Sequence, residues 1–178
     1  MLIVGENLRV LVEQHHIVSD KNCFDNNSLA LSLGRRAVFM ERSDQVSEIT
    51  YGQRLPDSCI RMSEISDRGI VIPAKGGFLG CSLEKVDMPL GYFGLLTTKG
   101  SFARLLAAVN CCDGQVEAGF RGNVTFEIVN LSTLDIRLLP GQKIAQLFVF
   151  KTSTKEVPPY NGRYQSADGP TIQKPELP

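Results

Sequence analysis

The 178-residue chain has no tryptophan and only two histidines, His15 and His16. As neighbours, they leave little scope for a histidine-centred nucleophilic triad or for a metal site needing several imidazoles. They fall beside a predicted helix and read as surface residues. The phosphate loop G-x-x-x-x-G-K-[ST], the dinucleotide loop G-x-G-x-x-G and the elbow G-x-S-x-G are all missing. No apolar run is long enough to cross a bilayer, so no membrane partner is expected. The start, MLIVGENLRVLVEQHH, lacks the basic end and small-residue cleavage site of a signal peptide, and a cytoplasmic location is expected. Nineteen basic residues balance nineteen acidic ones, which argues against nucleic acid as a partner. Five cysteines at irregular spacing read as reduced thiols, not as a disulfide framework. Cys111 and Cys112, placed on a strand, would point to opposite faces, and both read as buried or half-buried thiols. If the chain is an enzyme, carboxylates, Lys, Arg, Ser and Tyr must carry its chemistry.

What remains is one short helix and many strands. Leu8, Leu11 and Val12 fall at i, i+3, i+4 and predict an amphipathic N-terminal helix. SLALSLG (28–34) alternates with period two, and RAVFM (36–40) follows at once. Residues 41–59 are polar and loop-like, with SEITY (47–51) as a strand candidate. Short strands broken at Pro73, Gly76, Gly77, Pro89 and Gly91 come next, then VTFEIVN (124–130), LDIRLLPG (134–141) and KIAQLFVF (143–150). The expected fold is mainly β, a distorted antiparallel barrel or jelly-roll-like domain over residues 1–150. Residues 151–178 are rich in proline and glycine and cannot make a core of their own. They are either a disordered tail or an arm that orders over a site.

Two stretches carry possible chemistry. In VTFEIVN, Val124, Phe126 and Ile128 share one face, while Thr125, Glu127 and Val129 share the other. Glu127 is therefore either a solvated strand residue or a carboxylate set into a pocket. In TTKGSFARL (97–105), Lys99, Gly100, Ser101 and Arg104 bring two cations, a hydroxyl and a permissive backbone within six residues. Those are the parts of an anion-binding turn, and equally those of a solvated one.

In order along the chain, SLEKVDMPLGYFGLLTTKGSFARL, EAGFRGNVTFEIVN, PGQKIAQL and PPYNGRYQSADGPT resemble the motifs of the dCTP deaminases of the trimeric dUTPase-like superfamily. The first matches Glu-x-Val-x-x-Pro followed by Arg-Ser-Ser-Leu-Ala-Arg. The second matches Asp-x-Gly-aromatic-x-Gly leading into a strand with Glu and, three residues on, Asn. The likeness runs from about Gly5 to Thr171. It implies a dUTPase-like fold and zinc-independent hydrolytic deamination of dCTP to dUTP and ammonia, with a silent nucleotide-binding trimer or a dUTP diphosphatase as alternatives. The H-x-E…P-C-x-x-C signature of the zinc nucleobase deaminases is missing.

The resemblance also implies residue roles. Glu127 would be the catalytic proton shuttle. Lys99, Gly100, Ser101 and Arg104 would bind phosphate and base, and Glu117 would lie near the deoxyribose. Thr125 and Phe126 would offer main-chain contacts to the pyrimidine, and Tyr160 and Arg163 would come from the C-terminal arm. Mg²⁺ would arrive with the triphosphate of dCTP, dUTP or dTTP, and sites would form at the subunit interfaces of a homotrimer. The chain departs from the family pattern at Ala30 (aspartate), Ser32 (arginine), Gly100 (serine), Asp113 (alanine) and Ala167 (glutamine). These departures are expected to cluster at the ligand site.

Overall fold

A computed structural model of the chain describes residues 1–174; the last four residues of the expected 151–178 arm lie outside the described residues. The helix α1, Gly5–Glu13, forms where the apolar spacing predicts it and buries Leu8, Leu11 and Val12. Arg9 links Glu6 and Glu13 along its exposed side, at 3.4 and 3.8 Å, contacts worth a few tenths of a kcal/mol each.

Twelve strands follow: β1 (Phe24–Asp25), β2 (Ser28–Ser32), β3 (Arg36–Met40), β4 (Ile60–Glu64), β5 (Ile70–Ile72), β6 (Gly77–Asp87), β7 (Tyr92–Thr98), β8 (Ala107–Ala108), β9 (Gln115–Val116), β10 (Arg121–Asn130), β11 (Ile136–Leu138) and β12 (Lys143–Lys151). A single helical turn, α2 (Gly100–Ala103), separates β7 from β8. One five-stranded sheet runs β1-β2-β12-β7-β9, the other β4-β3-β6-β10-β8, and β5 pairs with β11 as a separate ribbon. Neither sheet closes on itself, so the expected barrel is two open antiparallel sheets around one core. Phe126 and Ile128 of β10, Leu29 and Leu31 of β2, and Leu147 of β12 are fully buried there. Each such side chain contributes about 1.5–3 kcal/mol on leaving water.

Three local expectations change. SEITY is irregular, part of a long loop that ends in the turn Asp57–Cys59. β2 is buried on both faces rather than alternately. Its second face carries the small residues Ser28, Ala30 and Ser32, and the Ser32 amide donates to the buried Glu84 carboxylate at 2.9 Å. Cys111 and Cys112 lie in a bend between β8 and β9, and both are exposed.

The long pair β6–β10 positions the site. Glu127 lies opposite Leu79 and Thr125 opposite Cys81, with an irregularity between Asn123 and Thr125. There the buried Asn123 side chain donates to the carbonyls of Ser82 and Glu84, at 2.9 and 3.2 Å, and Ser82 Oγ accepts from Val124 N. At the far end, Asn130 is fully buried. Its Nδ2 donates to the carbonyls of Ile72, Pro73 and Leu134, and its Oδ1 accepts from Ser132. The asparagine three residues after the glutamate therefore ties two turns to the end of β10.

The segment after β12 packs as an arm along β10. Tyr160 N donates to Ala118 O, Ser166 N to Arg121 O and Asn123 N to Ala167 O, each at 2.8 Å. Gln165 accepts from Arg121 N and donates to Gly119 O. Gly122 makes the approach possible: its φ is +140°, and a Cβ there would sit 2.6 Å from Ala167 O. A side chain at that position would push the arm away.

Candidate functional site

A cavity of about 470 Å³ opens where the arm, β10 and the segment 113–120 meet; its lining includes Asp113, Glu117, Thr125, Glu127, Tyr160 and Thr171. The strand alternation that buries Phe126 and Ile128 turns Thr125 and Glu127 toward this cavity, each half-buried. The second face of VTFEIVN is thus a pocket wall, not a solvated surface.

Glu127 is held by main chain. Its Oε2 accepts from Cys112 N at 2.7 Å and from Asp113 N at 3.3 Å. Two amide donors on one oxygen fix the position of the carboxylate. Among the described residues no protein donor reaches its other oxygen, which is available to a water. The bend carrying those amides is clamped at both ends. Asn110 donates to Leu96 O at 2.9 Å and meets Thr98 Oγ1 at 3.3 Å, while Leu96 N donates to Gly114 O at 2.7 Å.

The edge of β10 that faces the cavity has a gap. The arm pairs with it at Gly122, Asn110 bridges to it at Glu127, and β8 takes Val129 and Asn130. Among the described residues no strand pairs with that edge over 124–126. Asn123 N points to the arm and Val124 N to β6, so alternation aims the main chain of Thr125 into the gap and that of Phe126 toward β6. The Phe126 side chain is fully buried in the core; of the two expected pyrimidine contacts, Thr125 is the one on the cavity side.

The other predicted residues divide between the cavity and elsewhere. Glu117 lines the cavity at the start of the turn Glu117–Phe120, and Tyr160 lines it from the arm, tilted 57° against Phe120 with ring centroids 6.0 Å apart. Arg163 is exposed on the arm and donates to Lys174 O at 2.8 Å, outside the lining. Lys99, Gly100, Ser101 and Arg104 do not line it either. They form the turn around α2, where Arg104 Nη1 donates to Gly100 O at 3.0 Å. Of the five departures from the family pattern, Asp113 and Ala167 border the cavity, while Gly100 does not and Ala30 and Ser32 are buried in β2. Two of the five therefore border this cavity.

Among the lining residues that reasoning from sequence missed are Tyr51, Tyr164 as a wall, and Thr171. Tyr51 comes from the irregular 41–56 loop, where no local pattern marks it. Thr171 N donates to Thr125 Oγ1 at 3.1 Å, with the two hydroxyls 3.0 Å apart.

Among the described residues, the charged ones that line the cavity are Asp113, Glu117 and Glu127, all acidic, and they give an anion no counter-charge. Among the described residues, one group of possible metal ligands, Asp20, Cys23 and Glu84, has ligand atoms within 4.8 Å of one another. It lies outside the cavity. Burial first, and the neighbouring Glu84 carboxylate second, push the Cys23 thiol up to about 12, so it stays a protonated donor to Glu84 and a poor ligand.

Comparison with known proteins agrees with the fold. A dCTP deaminase, dUMP-forming, of Parafrankia sp. (strain EAN1pec) is 42% identical over 157 residues, covering 85% of this chain and 78% of the relative. A dCTP deaminase of Desulfurococcus amylolyticus is 28% identical over 178 residues, covering 98% and 95%. The crystal structure of 2'-deoxycytidine 5'-triphosphate deaminase from Agrobacterium tumefaciens shares the fold, with a TM-score of 0.62 at 20% identity over 83% of this chain. The present chain spans about half of that structure, 47% of its length. The model of the dCTP deaminase-like family matches residues 2–152, and the chain belongs to that family.

Proposed function

We propose that the protein is a hydrolase that deaminates dCTP without zinc, giving dUTP and ammonia. The observation that carries this reading is the Glu127 carboxylate. It stands in a nucleotide-sized cavity with one oxygen fixed by two amides and the other open to a water. In this reading Glu127 takes a proton from that water as its oxygen attacks C4 of cytosine. Glu127 delivers that proton to N3, then carries the proton of the new C4 hydroxyl to the amine, which leaves as ammonia as the C4 carbonyl forms. One water enters and one ammonia leaves, so the charge on Glu127 is restored. The main chain of Thr125 reads the pyrimidine edge, Glu117 meets the deoxyribose, and Tyr160 and Arg163 close the arm over the nucleotide.

The triphosphate, with its Mg²⁺, needs cations that this wall lacks. Lys99 and Arg104, with Gly100 and Ser101, supply them in our reading from a second copy of the chain. In our reading the working enzyme is a homotrimer with sites between subunits, as the family resemblance implies, and acts in the cytoplasm. A second reading follows from the Parafrankia relative, which is named as dUMP-forming: the same site also releases diphosphate from the deaminated nucleotide.

A panel of cytosine and uracil nucleotides, incubated with wild type and with Glu127→Gln and analysed for ammonia and product mass, tests both. Ammonia from dCTP, lowered about 10²–10⁴-fold by Glu127→Gln, is expected, and dUMP in place of dUTP selects the second reading. Nucleotide binding without any product from a cytosine nucleotide would overturn deamination in favour of a silent binding protein. Diphosphate from dUTP alone would make the protein a diphosphatase.

A further inference from the structure

Two of the five cysteines have properties that the proposed reaction does not use. Cys111 and Cys112 are consecutive, both exposed, and set in a bend between β8 and β9. The neighbouring Cys111 thiol is the largest influence on Cys112, raising its pKa. Cys23, Cys59 and Cys81 are buried. The main chain between the paired thiols is not neutral ground either, because Cys112 N is the 2.7 Å donor to Glu127.

We propose that Cys111 and Cys112 form a modification site: a vicinal dithiol that a disulfide oxidant of the glutathione class closes to an intramolecular disulfide, withdrawing the Cys112 amide from Glu127. The chemistry balances in two exchanges. The thiolate of one cysteine attacks the oxidant's S–S bond, forms a mixed disulfide and expels one thiol. The second cysteine, as its thiolate, attacks the cysteine sulfur of that mixed disulfide, closes the ring and expels the second thiol. The protein loses two electrons and two protons, and the oxidant is reduced to two thiols.

The strain of closure has a defined destination. Disulfide-linked residues usually hold their Cα atoms about 4.4–6.8 Å apart, whereas neighbours across a planar trans peptide are about 3.8 Å apart. Closing the ring therefore distorts the Cys111–Cys112 peptide. Asn110 and Gly114 pin the bend to β7 on either side, so the distortion is not relayed outward. It falls on the peptide whose N–H holds Glu127. Loss of a charge-assisted hydrogen bond of this kind lowers turnover by about tenfold or more.

The effect on turnover rests on Glu127 acting as proposed above; the modification itself does not. The whole protein is incubated with oxidised glutathione, acid-quenched and digested with trypsin without reductant. Cleavage after Arg104 and Arg121 releases Leu105–Arg121, which contains these two cysteines and no other. Expected are a mass about 2 Da lower for that peptide, a parallel fall in ammonia release, and recovery of both with dithiothreitol. Cys111→Ser should deaminate like the reduced wild type and resist the oxidant. A peptide that stays reduced, or carries only glutathione adducts, at saturating oxidant overturns the site. A closed ring with full activity overturns the link to Glu127. If the reduced protein deaminates nothing, hydrogen exchange at Cys112 replaces turnover as the readout. Faster exchange on oxidation supports the link and unchanged exchange overturns it, whatever the reaction is.

Discussion

Thr171 of the arm meets Thr125 of β10 through both its main chain and its side chain, with the amide donating at 3.1 Å and the hydroxyls 3.0 Å apart. Thr125 is two residues from Glu127 and faces the same cavity, so this contact fixes the arm beside the Glu127 carboxylate. Thr171→Val keeps the shape and removes the hydroxyl. It should raise KM for the nucleotide about three- to tenfold and leave kcat within about twofold, as expected for a contact worth about 1 kcal/mol that acts in binding. Steady-state kinetics beside wild type decide it; an equal fall in kcat at unchanged KM would place the contact in the chemical step.

Asn130 has a different job. Its amide bridges three carbonyls from two turns in a fully buried setting. Asn130→Ala leaves those acceptors without their donor and should cost about 3 kcal/mol, about 6–12 °C in Tm. Asn130→Asp should cost at least as much, because a carboxylate would face the same carbonyls. Thermal unfolding of the three proteins measures both.

The arm is also held electrostatically. Lys85, at 3.3 Å, and Arg36, at 3.4 Å, flank Asp168. The Lys85 hydrogen bond first, and the charge of Arg36 second, hold its carboxyl below the usual range. A depressed native value means that the contribution is fully present above the unfolded pKa of about 3.9 and is lost as pH falls through the lower native value. Arm protection, read as hydrogen exchange at Ser166 and Asn123 corrected for intrinsic rates, should be flat from neutral pH to about 5 and decline below about 4. Asp168→Asn should show weaker protection at neutral pH and lose that acid step; a step unchanged in the variant would assign it to another group.

Thiol accessibility separates two populations. Cys111 and Cys112 should react with a thiol reagent in the folded, reduced protein, and Cys23, Cys59 and Cys81 only after unfolding. Burial is the first cause that pushes Cys23 to about 12 and Cys81 to about 11, so neither carries much thiolate at neutral pH. A timed titration with and without denaturant counts them.

Much of this arrangement was legible in the chain. Val124, Phe126 and Ile128 alternate cleanly, and the face they leave to Thr125 and Glu127 is the pocket wall. The helix at Leu8, Leu11 and Val12 and the strand after Pro140-Gly141 also follow from spacing and turn residues. What stayed hidden depends on contacts between distant segments. Nothing near Gly122 announces that Ala167 will pack on it, and nothing in the 41–56 loop marks Tyr51. The bend at Cys111 and Cys112 did have a local signal, because Asp113-Gly114 is a turn pair that ends any strand there. The anion turn Lys99–Arg104 reads well as chemistry, yet a motif does not say to which wall, or to which copy, its charges belong.

The unpaired stretch of β10 also bears on solubility. An open strand edge is a template on which another chain can add, and long flat edges seed aggregation. Here the open length is residues 124–126, closed on one side by the arm at Gly122 and on the other by the bridge at Glu127. It is too short to accept a foreign strand. The protein thereby keeps main-chain donors and acceptors uncovered in the cavity without offering them to a neighbouring strand, and truncating the arm should cost solubility.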